Sequence, residues 1–218
     1  METNKPKEAL FSKKNRRLLK DPMNINNPIT VQVLGICSAL AITVKLKPAV
    51  VMSLSVIVVM ALANVITSLM RNMIPNRIRI IVQLVVVATL VILVDQVLKA
   101  FVYDVSKQLS VFVGLIITNC IIMGRIEAFS LGNTPWKSFL DGIGNGASYG
   151  LILIVVSFFR ELFGNGTLYD YPVVEKLGLY DLGYHNNGMM LLPPMALIVV
   201  ALIIWWQRSK TPSLIEKD

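Results

Sequence analysis

The chain has 218 residues, of which 55% are hydrophobic and 16% are charged, and its formal net charge is +8. This balance is too apolar for an ordinary soluble domain, in which about a quarter of the residues are charged. The basic residues flank apolar runs and form no separate basic domain, which argues against nucleic acid as the partner. No short apolar run with a small-residue cleavage site follows the polar N-terminal stretch, so a secretory signal is not expected. The composition predicts a polytopic membrane protein.

Residues 1–27 form a basic, polar arm. One interpretation is a solvated segment without fixed structure. The other is a juxtamembrane segment that lies on anionic lipid head groups. Its basic residues are Lys5, Lys7, Lys13, Lys14, Arg16, Arg17 and Lys20.

Six apolar segments follow the arm, and we expect each to be a transmembrane helix. The second, third and fifth segments reach the about 20 residues that a membrane-spanning helix needs. The sixth ends in Trp205 and Trp206, which suits the membrane interface. The first and fourth have about 16 residues each and would span only about 24 Å. The segments are 29–44, 49–70, 78–99, 109–124, 139–163 and 189–206.

The distribution of lysine and arginine predicts the orientation. If the loops alternate from an inside N-terminus, 15 basic residues fall inside and 6 outside. Both termini are therefore expected on the cytoplasmic side. The predicted organisation is a cytoplasmic arm (1–27), a membrane domain (28–206) and a cytoplasmic tail (207–218).

The only two cysteines, Cys37 and Cys120, lie in the two short segments, 83 positions apart. Shifting the chain by that offset lays much of its first half over its second, which predicts two repeats, 28–101 and 108–206. Three spans are an odd number, so the second repeat must be inverted relative to the first. The predicted fold class is an all-α membrane protein of six helices, with short or broken first and fourth helices. We expect Gly35 and Gly114 to break these helices and the thiols to face inward, toward each other.

The two thiols admit two interpretations. A membrane cysteine is often a small packing residue. The matching positions instead favour a shared function. A disulfide is one such function, but nothing nearby resembles a redox motif. A [2Fe–2S] cluster takes four thiolates, and the only histidine, His185, lies in a predicted outside loop. If Cys37 and Cys120 bind such a cluster, another chain must supply the other two ligands, most simply a homologous partner.

Other polar residues within the segments are expected to form structural contacts, and one pair also has a functional interpretation. Asp95 and Lys99 are four residues apart and can form an ion pair on one helix face; a proton or cation step is the alternative. Asn64 and Gln83 are expected to form interhelical hydrogen bonds. Arg160 and Glu161 are expected to pair with each other at the interface.

The fifth segment opens with a glycine-rich run that follows Asp141. Small residues at Gly142, Gly146 and Gly150 favour close helix packing. An ion path beside Asp141 is the alternative interpretation.

The chain resembles a family of membrane subunits that contains the D and E subunits of the Na⁺-translocating NADH:quinone oxidoreductase and the A and E subunits of the Rnf electron-transport complex. The FFRELFGNG and NGMMLLPP stretches are more similar to the D subunit than to its Rnf counterpart. The matching stretches are LGICSALA (34–41), NCIIMGRIEAFS (119–130), SFLDGIGNG (138–146), FFRELFGNG (158–166) and NGMMLLPP (187–194).

The resemblance implies a multi-pass subunit of a six-subunit redox-driven sodium pump in the bacterial inner membrane. Such a complex carries electrons from NADH through flavins and iron–sulfur centres to ubiquinone. In this family a D-like and an E-like subunit form an inverted pair, and each gives two cysteines to one intramembrane [2Fe–2S] cluster. Those cysteines fall on Cys37 and Cys120.

The sequence therefore leaves three candidate functions. The first is an electron-carrying subunit of the sodium-pumping reductase. This chain has no glycine-rich dinucleotide fingerprint after a strand, so no NADH or quinone site is expected on it alone. The second is the Rnf-type subunit, which exchanges electrons between ferredoxin and NAD. The third is a secondary transporter or membrane scaffold without redox chemistry, which would bind no iron.

Overall fold

The computed structural model describes residues 19, 21–22, 27–75, 77–101, 113–168, 171 and 188–210. Most of the basic arm, His185 and residues 211–218 lie outside that part of the chain. Within it the protein is helical, as predicted, and the only β-type pairing is an isolated bridge between Leu168 and Tyr171. The α-helices are α1 (Ile36–Ile42), α2 (Leu46–Met70), α3 (Arg79–Phe101), α4 (Val113–Ile117), α5 (Cys120–Arg125), α6 (Pro135–Gly164) and α7 (Pro193–Lys210). A π-helical turn, Ile126–Ser130, continues α5, and a 3-10 turn, Gly188–Leu191, precedes α7.

Three helices in the described ranges are long and apolar enough to cross a membrane. They are Leu46–Met70, Arg79–Ala100 and Pro135–Gly164, and they correspond to the second, third and fifth predicted segments. α7 has 18 residues and would extend about 27 Å. The first and fourth segments are short, as expected: α1 has 7 residues, and the fourth segment is divided into α4 with 5 and α5 with 6.

The centre of the fold is the contact between α2 and α6, which we call the α2–α6 seam. Every fourth residue of α6 from 142 to 150 is a glycine, so the backbone of α2 approaches closely. A Cβ atom added at these glycines would lie 2.8 Å from Ala61 Cα, 3.0 Å from Ile57 Cα and 2.9 Å from Ser53 Cβ, for Gly142, Gly146 and Gly150 respectively. The predicted close packing of these small residues is confirmed.

Polar side chains tie neighbouring helices together as predicted. The Asn64 amide on α2 donates to the carbonyl of Ser138 on α6 at 3.3 Å. The Gln83 amide on α3 donates to Glu127 in the π-helical turn at 3.0 Å. The predicted ion pair within α3 is also present, with 2.6 Å between Lys99 Nζ and an Asp95 oxygen.

The first short segment is interrupted where a glycine was predicted to break it. Gly35, the N-cap of α1, has φ +77°, and Val33 has φ +57°. Glycine adopts this left-handed conformation readily, whereas a β-branched residue such as valine rarely does. Ser38 Oγ donates to the Gly35 carbonyl at 2.8 Å and closes the first turn of α1.

The fourth segment is broken at a different place from the one predicted. Gly114 lies inside α4, and its carbonyl accepts hydrogen bonds from the Thr118 amide and hydroxyl at 3.2 and 3.0 Å. The helix stops at Asn119, whose ψ of 118° is extended. Asn119 Oδ1 accepts from the Ile121 amide at 3.2 Å and so starts a new helix, α5. Asparagine breaks the segment because its side chain caps better than it continues a helix.

Arg160 and Glu161 do not pair with each other at an interface, so that prediction is wrong. Both are buried near the end of α6, and they serve different helix ends. The Arg160 guanidinium donates to the carbonyls of Leu40, Met190, Leu191 and Leu192 and to the Thr43 hydroxyl. Glu161 accepts from the Leu46 amide at 2.5 Å, at the start of α2. A positive guanidinium satisfies the free carbonyls at the C-terminal end of a helix, and a negative carboxylate satisfies the free amides at the N-terminal end.

The last residue of the predicted arm packs against the membrane helices. Asn27 is buried, and its amide donates to the Ser148 hydroxyl of α6 at 2.8 Å. Ser148 in turn donates to the Pro22 carbonyl at 2.7 Å. Ser148 therefore holds the chain that leads into α1.

Candidate functional site

The two predicted site residues occupy equivalent places. Cys37 is the second residue of α1 and Cys120 is the first residue of α5, so each lies in the first turn after the break in its segment. Both thiols are free and exposed on the surface of the chain.

The thiols do not face the interior of this chain, contrary to the prediction. The buried positions are taken by the neighbouring residues, Ser38 after Cys37 and Ile121 after Cys120. Successive residues of a helix are about 100° apart, so burying one neighbour turns the other outward. The sequence shows which segments carry the thiols, but it does not fix the rotation of those segments.

The two cysteine-bearing segments are in direct contact. A Cβ atom added at Gly35 would lie 2.6 Å from Ile121 Cδ1 and 3.2 Å from Tyr149 Cε2. Leu34 reaches the other end of α5, where its Cδ1 would be 3.3 Å from a Cβ added at Gly124. The start of α1 therefore packs along α5, and Gly35 is required both by its φ angle and by this close approach.

Tyr149 of α6 joins the two segments. Its ring is fully buried, and its hydroxyl lies 2.5 Å from Ser38 Oγ. The Asn119 amide donates to the same hydroxyl at 3.4 Å. One tyrosine thus bonds the residue after Cys37 and the residue before Cys120. Sequence reasoning did not identify Tyr149 as a site residue. The available signal was a single tyrosine among small residues, since a buried tyrosine hydroxyl needs a partner.

The end of α5 is fixed by a buried ion pair. Arg125 makes a two-pronged contact with Asp141 of α6, with 3.1 Å between Nε and Oδ2. The Asn145 amide also donates to Asp141 Oδ1 at 3.0 Å. The Arg125 guanidinium lies 5.5 Å from the centre of the Phe129 ring. Both Asp141 oxygens are therefore engaged in holding α5 on α6.

The two cysteines are the candidate metal ligands. In the part of the chain that the structure describes, no three residues among His, Cys, Asp and Glu come close enough to hold a metal ion. Two exposed thiols supply two of the four thiolates that a [2Fe–2S] cluster takes, so such a cluster would need two further ligands from another chain.

These features define a class: an all-helical membrane protein in which short, interrupted helices carry paired thiols beside a close-packed helix pair. The chain belongs to the Rnf-Nqr subunit family of membrane proteins, whose model matches residues 16–204. The family resemblance predicted from the sequence is confirmed.

The chain is similar over nearly its whole length to several curated proteins, each of them the D subunit of a Na⁺-translocating NADH-quinone reductase. It is 53% identical over 207 residues to the protein of Serratia proteamaculans, and the match covers 95% of this chain and 99% of that protein. The protein of Photobacterium profundum is 55% identical over 180 residues, covering 82% of this chain and 84% of that protein. The protein of Haemophilus ducreyi is 52% identical over 203 residues, covering 93% of this chain and 97% of that protein.

Proposed function

We propose that this chain is the D subunit of a Na⁺-translocating NADH:quinone reductase in the bacterial inner membrane. The support is the name that its relatives share and the similarity, which extends over 95% of this chain and 99% of one relative. The complex would oxidise NADH, reduce ubiquinone and export sodium ions. NAD, flavin and quinone would bind to other subunits.

The task of this chain within the complex would be to hold one side of a [2Fe–2S] cluster. Cys37 and Cys120 would supply two thiolates, and a homologous E-type partner subunit would supply the other two. The observation that carries this proposal is the pair of exposed thiols on two helix starts that pack together. A bound [2Fe–2S] cluster supplies one-electron transfer chemistry inside the membrane.

The residues of this chain would hold, orient and shield that site. The two thiols would ligate the cluster. Ile116, Ile121 and Ile122, in the segment that carries Cys120, are buried and would keep water out of the chain's interior. Because the open side faces out of the chain, the partner subunit would close it.

We also propose that the two halves are inverted repeats with both termini in the cytoplasm. The support is the break that precedes each cysteine at matching positions and the excess of lysine and arginine on the predicted inside. In inverted-repeat membrane proteins, interrupted helices at matching positions lie at the functional centre.

The test is iron content and low-temperature EPR of the purified whole complex, for wild type, Cys37→Ala and Cys120→Ala. Each substitution is expected to abolish the same iron–sulfur signal, to lower the iron content by two atoms per complex for the lost two-iron cluster, and to stop quinone reduction. Thr118→Ala is the matched control, because Thr118 is exposed near Cys120 and, among the described residues, its hydroxyl bonds to Gly114 of its own helix. Iron and activity that survive both cysteine changes would refute the proposal and favour a transporter or scaffold.

A further inference from the structure

We propose that Tyr149 is a positioning residue that sets the spacing between the two thiols. This inference rests on the proposed function, because it assigns a task to Tyr149 only if Cys37 and Cys120 bind one cluster. Tyr149 itself contacts neither thiol in the hydrogen bonds that the structure shows for it; it acts through Ser38 and Asn119.

The hydrogen bonds around Tyr149 have a defined direction. The single proton of the Ser38 hydroxyl is directed to the Gly35 carbonyl at 2.8 Å. In the 2.5 Å contact between Ser38 and Tyr149, the tyrosine must therefore donate. The Tyr149 oxygen then accepts from the Asn119 amide at 3.4 Å. The bonds run one way, from Asn119 through Tyr149 and Ser38 to Gly35.

This series of hydrogen bonds begins and ends at the N-caps of the two cysteine helices. Gly35 caps α1, in which Cys37 is the second residue, and Asn119 caps α5, in which Cys120 is the first. Asn119 uses its other side-chain atom, Oδ1, to cap α5 through the Ile121 amide. One continuous set of hydrogen bonds thus links the starting points of both helices through the tyrosine.

Burial makes the arrangement rigid. Tyr149, Ser38 and Asn119 are all buried, and a buried polar group that loses its partner costs more than an exposed one. A Cβ atom added at Gly35 would lie 3.2 Å from Tyr149 Cε2, so the ring lies next to this cap. Tyr149 lies on α6, between Gly146 and Gly150 of the α2–α6 seam. The close-packed seam is therefore the reference that fixes the distance between the thiols.

The experiment compares Tyr149→Phe with wild type in the purified whole complex. Phenylalanine keeps the buried ring and removes only the hydroxyl. We expect the complex to assemble, its iron–sulfur EPR g values and midpoint potential to shift, and iron loss to a chelator to become about tenfold faster. Tenfold is the lower end of the usual effect of changing groups that orient metal ligands. The double variant Ser38→Ala/Tyr149→Phe should add little to the single one, because both interrupt the same set of bonds.

Ser157→Ala is the matched control. Like Tyr149→Phe it removes a buried hydroxyl from α6, but among the described residues that hydroxyl has no hydrogen-bond partner. It should leave the g values and midpoint potential at those of wild type. If Tyr149→Phe prevents assembly, Asn119→Ser carries the test, because serine still caps α5 but is too short to reach Tyr149. The same spectroscopic shifts are expected from it.

The results separate this inference from the proposed function. If the cysteine variants lose the signal while Tyr149→Phe keeps wild-type g values, potential and iron-loss rate, the positioning role is refuted and the cluster assignment stands. If the cysteine variants keep the signal, both fail. A shift that Ser157→Ala reproduces would also refute the inference, because the effect would then belong to α6 as a whole.

Discussion

The α2–α6 seam and the two cysteine segments are held by opposite means. At the seam, glycines have no side chains and let the two helices approach until an added Cβ would lie 2.8 to 3.0 Å from an atom of α2. The cysteine segments are instead held by side-chain hydrogen bonds from Tyr149, Arg160 and Asn119. In a membrane, lipid is as apolar as leucine, so helices associate through close packing and polar contacts.

This difference shows how the protein supports short helices. α2 and α6 are long enough to satisfy their own backbone groups within the membrane. α1, with 7 residues, leaves most of its backbone groups without intrahelical partners. Arg160 of α6 supplies a partner to one of them, the Leu40 carbonyl, and Tyr149 of α6 bonds to the Ser38 side chain. α6 is thus both half of the seam and a source of hydrogen bonds that hold the first cysteine segment.

The largest loss of stability should come from adding a side chain to a glycine of the seam. Gly142→Val is expected to prevent assembly or to destabilise the complex by about 3 kcal/mol or more, because its Cβ would meet the backbone of Ala61. The measurement is the yield and the thermal midpoint of the purified complex. Gly114→Val is the control, since an added Cβ there meets nothing within 4 Å. Equal losses for both variants would contradict the packing argument.

A smaller effect is expected from Arg160, which connects α6 to the end of α1. Arg160→Met should lower the stability of the complex by about 2 kcal/mol, because buried carbonyls lose a charged donor. The thermal midpoint of the purified complex measures it. Arg160→Lys should recover only part of the loss, since one ammonium cannot reach both α1 and the 3-10 turn. A wild-type midpoint for Arg160→Met would show that the cysteine segments do not depend on this contact.

The smallest effect is expected on α3, outside both regions. Lys99→Gln breaks the pair with Asp95, but Lys99 is 44% exposed, and exposed ion pairs contribute about 0–1 kcal/mol. The thermal midpoint and the rate of sodium transport should both stay near wild type. A large fall in transport with unchanged stability would instead favour the alternative in which Asp95 and Lys99 take part in a cation step.

Sequence reasoning identified what depends on spacing along the chain. The glycines of α6, the Asp95–Lys99 pair and the shortness of the cysteine segments follow from helical periodicity and length, and the structure confirms them. Sequence reasoning failed where the structure depends on the rotation of a helix about its axis or on contacts between distant parts of the chain. The thiols turned outward, Asn119 rather than Gly114 broke the fourth segment, and Arg160 bonded to carbonyls rather than to Glu161. Tyr149 was missed because its partners are distant in sequence: Ser38 is 111 positions away.

The contacts of Arg160 and Glu161 affect when, during synthesis, the first cysteine helix can pack in its final place. Arg160 donates to the Leu40 carbonyl, 120 positions away, and Glu161 accepts from the Leu46 amide, 115 positions away. α1 also packs against α4 and α7, which follow it along the chain. While the ribosome makes α2 and α3, the first cysteine helix therefore lacks most of its neighbours. Its placement must wait until α6 and α7 have been made, so the two cysteine segments reach their final arrangement only after translation has passed them.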